Sequence, residues 1–319
     1  MGQTLDIAGL RRAYAGGDAR AGLRLSALLV MNGAVEEGAR IADEVLAVSA
    51  REAWLFAAVL AAAGVGQMPN WRKALGALQA GFEAGDARAL AQVETLLDAG
   101  LSDASALERW LDAPAPLGLA LSADPRVQAL PQFLPDAFCA HLIARAQPLR
   151  QASTIYDAER GGLITSDLRT ASLARMTLFQ SDLIVWMARW RIARALDIPL
   201  SGLETTNIIH YAPGEVHRPH FDYLDAREPY QAEEIARVGQ RTDTVLIYLN
   251  TEYEGGETEF SRLNIRYKGV QAGDALAFVS VPKGAEAGDP RTLHAGLAPT
   301  SGEKWLLSQW VRNRPQPVL

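Results

Sequence analysis

Of five histidines in the 319-residue chain, three fall close together, His210, His217 and His220, with Asp222 just behind them. In an extended chain, residues i and i+2 share a face, so His220 and Asp222 can converge on one ion. Joined by a second imidazole, they cover one face of an octahedron and leave three positions open, which suits non-haem Fe(II) and oxygen chemistry. The pair alone is a weak signal, and the third ligand decides its worth. His141 sits in an amphipathic helical run, and His210 precedes His220 by ten positions. His217 stands three before His220, so in strand geometry it points off that face, toward substrate or behind the site. His294 lies on a late strand that a folded-back sheet can return to the opening one. Ten positions further, Lys304 begins an apolar strand, where a lysine calls for an explanation. Its ammonium could pair with the far carboxylate of a dicarboxylic co-substrate.

The elements that must position these residues come in two grammars. Before about residue 115 the chain is rich in Ala and Leu and punctuated by Gly. Gly17-Asp18-Ala19-Arg20-Ala21 opens one segment that closes at Gly33; Gly85-Asp86-Ala87-Arg88-Ala89 opens another that closes at Gly100. A degenerate middle copy begins near Ala50. Asp at a helix start caps free N–H groups and Gly at its end takes the left-handed conformation, so these read as helical-hairpin repeats. They resemble tetratricopeptide-like repeats, which present a surface to a partner or serve as a scaffold. Asp112-Ala113-Pro114-Ala115-Pro116 reads as a linker. Helices are expected over Asp136–Ala146 and Gln180–Leu196. Strands follow over 205–211, 242–249, 257–260, 275–279, 293–297 and 305–311, with turn signals at Gly255-Gly256 and Gly273-Asp274. Short strands without intervening helices predict an antiparallel jelly roll. Between them, Leu224–Gln240 reads as a long charged loop: a lid, or a solvated excursion with a helical turn at Glu233–Val238.

Taken together, residues from about Phe133 to Arg312 resemble the prolyl 4-hydroxylase family of Fe(II)/2-oxoglutarate dioxygenases. The pieces run in the family's order: Phe133-Leu134-Pro135-Asp136, Leu168-Arg169-Thr170, Tyr211 before His220-x-Asp222, Thr242–Asn250, Gly255-Gly256-Glu257-Thr258, His294-Ala295-Gly296 and Gly302-Glu303-Lys304-Trp305. The resemblance implies an α+β fold, a double-stranded β-helix catalytic domain with supporting helices over 116–319 behind an all-α repeat domain over 1–115. It implies Fe(II) held by His220, Asp222 and His294, and O2 with 2-oxoglutarate as co-substrate, decarboxylated to succinate while a C–H bond is hydroxylated. Ascorbate is the implied reductant. Lys304 is then the partner of the co-substrate's C5 carboxylate, and Tyr211 and Thr258 its hydroxyl partners. Arg169, Glu204 and Arg241 occupy places where the family sets polar residues around a peptide. His217 departs from the family's tyrosine and Ala171 from its serine, which shifts the expectation about substrate rather than about the cofactors.

A formal charge of −6 and the absence of a basic stripe count against nucleic acid. One cysteine, Cys139, permits no internal disulfide and fits a reducing compartment. The N-terminus shows no basic leader followed by an apolar run, and Ala53–Val65 is too short to span a bilayer, so a cytoplasmic protein without membrane partners is expected. The expected substrate is a prolyl residue in a peptide or protein. The alternatives are another side chain, a free amino acid or a natural-product peptide, or, from another class, a repeat adaptor with a silent β-domain. The repeats offer a surface for a protein partner or a second copy.

Overall fold

The computed structural model describes residues 7–157, 162–164, 166–285 and 287–316, and the first six residues of the N-terminus read above lie outside them. The chain divides into two compact units.

The first unit is helical. It contains α1 (Ile7–Ala15), α2 (Ala19–Met31), α3 (Val35–Val48), α4 (Ala50–Ala63), α5 (Trp71–Glu83), α6 (Ala87–Asp98) and α7 (Ala104–Asp112). The two similar openings behave alike: Asp18 accepts a hydrogen bond from the Ala21 N–H at 3.0 Å and Asp86 from that of Arg88 at 2.8 Å. Gly33 and Gly100, just past α2 and α6, have φ of +84° and +73°, where a side chain would be strained. Ser49 begins the middle copy without a side-chain cap. Leu25, Leu29, Ile41 and Val45 form one buried cluster. A Cβ on Gly81 would lie 2.4 Å from the Trp54 ring, so α4 and α5 pack at a distance only glycine allows. Residues 178–187 belong to this unit, where Phe56 stacks on Phe179 at 5.6 Å and the Leu183 N–H reaches Gln92. Asp182 accepts from the Val185 N–H, and so α9 (Leu183–Leu196) starts three residues later than the expected Gln180.

The second unit begins at Ala113 and, apart from residues 178–187, continues through the strands. In chain order it holds β1 (Leu119–Ala123), β2 (Arg126–Leu130), α8 (Asp136–Ala146), β3 (Gln151–Ala152), β4 (Ile155–Asp157), β5 (Gly162–Ile164), β6 (Ser172–Met176), the rest of α9, β7 (Thr206–Tyr211) and β8 (His217–His220). Then come α10 (Pro229–Val238), β9 (Arg241–Tyr248), β10 (Tyr253–Gly255), β11 (Thr258–Phe260), β12 (Ile265–Tyr267), β13 (Ala275–Val279), β14 (His294–Gly296), β15 (Pro299–Gly302) and β16 (Lys304–Arg312). A large sheet runs β1-β2-β13-β9-β16-β7-β6-β3 and a smaller one β12-β11-β14-β8, with antiparallel pairs throughout. Between the sheets, Tyr248, Leu276, Phe278 and Leu306 of the large one meet Phe260 and Ile265 of the small one. This is the double-stranded β-helix. Cys139, within α8, is fully buried, and burial pushes its thiol up to about 12. The charged segment after Asp222, expected as a lid or as a solvated excursion with a helical turn at Glu233–Val238, contains a ten-residue helix, α10, with no buried side chain. Among the described residues no helix is long and apolar enough to cross a membrane.

Candidate active site

Period-two alternation turns one face of β16, β7 and β9 in the large sheet into the pocket floor. Lys304, Leu306, Ser308 and Trp310 of β16 line it, as do Ile209 and Tyr211 of β7. The small sheet supplies the opposite wall through His217, His220, Thr258, His294 and Gly296. Asp222, two residues past the end of β8, completes the cluster.

His220, Asp222 and His294 each offer a ligand atom, and these atoms all lie within 4.8 Å of one another. The His220 Nε2 is 3.6 Å from one Asp222 oxygen and the His294 Nε2 is 3.5 Å from the other. Each ring's Nδ1 meets a backbone carbonyl, that of Arg218 at 2.8 Å and that of Thr292 at 3.0 Å. An Nδ1–H given to a carbonyl leaves Nε2 as a bare lone pair, and both lone pairs belong to the inward nitrogens. Thr244 donates to Asp222 Oδ2 at 2.7 Å and fixes the carboxylate's plane. Burial, with His220 beside it, pushes the His294 imidazole down to about 4, so it rests neutral, as a ligand must. The donor set therefore fits a divalent metal. Thr244 was not anticipated from the sequence; its alternation with Leu246 along β9 was the available signal.

Lys304 is fully buried, and its ammonium donates to the Gly256 carbonyl at 2.6 Å. It pairs across the sheet with Tyr211, whose ring centroid lies 5.1 Å from Nζ. Burial pushes the Lys304 amine down to about 7, with Glu257 opposing the shift and Lys268 adding to it. A Cβ at Gly296 would stand 3.2 Å from the Tyr211 hydroxyl, so glycine there gives that hydroxyl room. Thr258 is buried on the same wall, with its hydroxyl 2.8 Å from that of Tyr248. Tyr248 was not singled out in the sequence.

His217 departs from expectation. In a regular strand it would face away from His220, yet the two rings stack with centroids 3.5 Å apart. The cause is a bulge: His220 pairs with His294 and His217 with Gly296, so three steps on β8 oppose two on β14. The extra residue shifts the alternation by one and returns His217 to the pocket side. Arg169 also lines the pocket, beside His217, with which it forms an isolated bridge. Glu204 and Arg241 do not. Glu204 accepts from Arg241 at 2.6 and 3.2 Å and from Arg312 at 2.6 Å. Arg241 lies 3.8 Å from the centroid of Trp310 and so backs a pocket wall rather than facing the cavity. His210 is buried outside the ligand cluster, with Nε2 2.9 Å from Glu303, and His141 is a half-buried residue of α8.

Two facing antiparallel sheets with a His-Asp-His cluster in the pocket they line fit a non-haem metal oxygenase, and a match to the 2OG-Fe(II) oxygenase superfamily covers residues 206–312. Prolyl 4-hydroxylase 1 of Arabidopsis thaliana is 33% identical over 207 residues, spanning 61% of this chain and 71% of its own length. Probable prolyl 4-hydroxylase 10 of the same plant is 32% identical over 240 residues, 69% of this chain and 77% of its own. The chain belongs to the prolyl 4-hydroxylase family of Fe(II)- and 2-oxoglutarate-dependent oxygenases. Among solved structures, a viral collagen prolyl hydroxylase from Paramecium Bursaria Chlorella virus-1 in its 2OG complex is 25% identical, with a TM-score of 0.44 over 58% of this chain and 95% of that one.

Proposed function

We propose that the protein hydroxylates a prolyl residue of a peptide or protein, with His220, Asp222 and His294 holding Fe(II). Lys304, Tyr211 and Thr258 hold 2-oxoglutarate. The observation that carries this reading is the buried ammonium of Lys304 in the same pocket as three converging metal-ligand atoms. Iron bound there supplies O2 activation coupled to decarboxylation of 2-oxoglutarate to succinate. The chain's own residues do the rest. Thr244 and two backbone carbonyls hold the ligands in orientation. Lys304 neutralises a carboxylate that would otherwise be costly to bury, and the apolar Ile209, Leu246 and Leu306 keep water from it. Trp310, backed by Arg241, gives the pocket an aromatic wall.

Ascorbate as reductant and a cytoplasmic location belong to the same proposal; a lone buried cysteine supports the latter. The helical unit is read as a surface for a protein partner or a second copy. To test the reading, the protein is incubated with Fe(II), 2-oxoglutarate, O2 and proline-containing peptides, with succinate and peptide mass followed together. Gain of one oxygen atom on proline with stoichiometric succinate is expected. Succinate release with oxygen appearing only on other residues would overturn the prolyl assignment, and no succinate would overturn the chemistry.

A further inference from the structure

One pocket group is left over by that reading. Arg169 is 9% exposed and lines the pocket, yet among the described residues its guanidinium has no hydrogen-bond or ion-pair partner, and its Nε is buried with none. It is not loosely held. Its segment is laced to β8 and the turn before it: the Thr170 N–H donates to Val216 O at 3.0 Å, that of Arg218 to Leu168 O at 2.8 Å, and that of Val216 to the Thr170 hydroxyl at 2.9 Å. The Arg218 side chain also reaches Asp167 O at 3.0 Å. A guanidinium on so fixed a backbone, buried and unpaired, is costly unless something arrives to meet it.

We propose that Arg169 is the seat of a carboxylate carried by the substrate, close to the carbon that is hydroxylated; this rests on the oxygenase reading above. Arginine's planar fork matches a carboxylate through two parallel hydrogen bonds, whereas a lone peptide carbonyl leaves the charge uncompensated. Among the described residues, the carboxylates at and behind the pocket are already engaged. Asp222 is committed to Thr244 and the two imidazoles, and Glu204 to Arg241 and Arg312. Charge balance points the same way. Lys304 and a divalent metal are offset by Asp222 and a dianionic co-substrate, which leaves Arg169 as the one charge over among these pocket groups. Arg241, already neutralised by Glu204, does not compete for the anion. Burial lowers the Arg169 guanidinium from its ordinary value, Tyr211 and Asp222 oppose the shift and Arg175 and Arg241 add to it, yet arginine stays charged at neutral pH.

The carboxylate can come from a chain terminus or from an acidic side chain, and the test separates these. Binding is measured by calorimetry on the full chain with Mn(II) and 2-oxoglutarate under anaerobic conditions, so that the readout is not turnover. Three peptide pairs are compared: a C-terminal proline acid against its amide, and amidated peptides with Asp against Asn on either side of the proline. At least one acid is expected to bind tenfold or more tighter than its neutral partner. Arg169→Gln should close that gap and Arg169→Lys should keep part of it. Equal binding within all three pairs by the unsubstituted protein would overturn the proposal, whether or not the variants fold. So would Arg169→Gln if it lost 2-oxoglutarate while keeping the acid preference, since Arg169 would then serve the co-substrate. Failure of the unsubstituted protein to bind 2-oxoglutarate at all is a separate result, which sinks the oxygenase reading itself.

Discussion

At the scale of single residues, the site is a set of groups whose ordinary behaviour is altered by burial. Lys304 is the clearest case. Only the ammonium can pair with a carboxylate, and burial has brought the amine down to about 7. Below that pH the cation is present and 2-oxoglutarate affinity should be flat; above it, affinity should fall about tenfold per pH unit as the free site loses its proton. Titrating 2-oxoglutarate between pH 6 and 9 checks this, and a flat profile would remove Lys304 from the role. Lys304→Ala leaves a carboxylate unpaired, a cost of about 3–5 kcal/mol, so KM for 2-oxoglutarate should rise by roughly two orders of magnitude. Thr244→Val removes the hydrogen bond that orients Asp222. Metal affinity should weaken by about tenfold or more, the usual effect of losing a ligand's supporting partner, and Mn(II) titration reads it. The convergence of His220, Asp222 and His294 and the buried Lys304 were legible in the sequence because such residues are unusual at their positions. Thr244 and Tyr248 were not, because a threonine and a tyrosine on a strand look ordinary until one sees what faces them.

At the scale of elements, legibility followed how apolar each strand is. β9, β13 and β16 lie inside the large sheet, and their buried runs of apolar residues announced them. β1 and β2 were obscured by Pro125 and Pro131, and β8 by a proline and three polar residues in four. The bulge that turns His217 inward depends on the register of β14, some seventy residues away, which no local pattern reveals. The segment after Asp222 was expected to be a lid or an excursion. It carries the helix α10 and is tied down: Arg312 binds Glu234 and the Gly239 carbonyl, Arg314 reaches the Ala236 carbonyl at 2.7 Å, and the Gln240 side chain brackets both backbone groups of Leu224. Arg312 is buried, so Arg312→Ala leaves Glu234 without this partner and Glu204 with Arg241 alone. A loss of about 3 kcal/mol in chemical denaturation is expected from breaking a buried pair of this kind, with α10 amides exchanging faster. Unchanged exchange in α10 would mean that its own turns hold it.

For the molecule as a whole, metal binding and folding of the oxygenase unit should be coupled, because the three ligands come from segments that only the finished sheets bring together. Mn(II), a redox-quiet stand-in for iron, should stabilise the unit by about 2.7 kcal/mol at a hundredfold excess over its Kd, seen as a rise in melting temperature. His294→Ala should abolish the rise; an equal rise in that variant would place the metal elsewhere. The composition foresaw two kinds of structure but not that residues 178–187, deep in the second stretch of sequence, count with the helical unit. No periodicity encodes that choice. The large sheet carries a further implication. β16 is the latest of its strands along the chain, yet it lies between β9 and β7 and pairs with both. During synthesis, then, each of those strands emerges with one long hydrogen-bonding edge open, and the gap closes only when Lys304–Arg312 has left the ribosome. Until that moment the nascent chain presents two bare templates for pairing with a wrong neighbour, so a translational arrest or a premature stop just before Lys304 should yield an aggregating species rather than a merely inactive one.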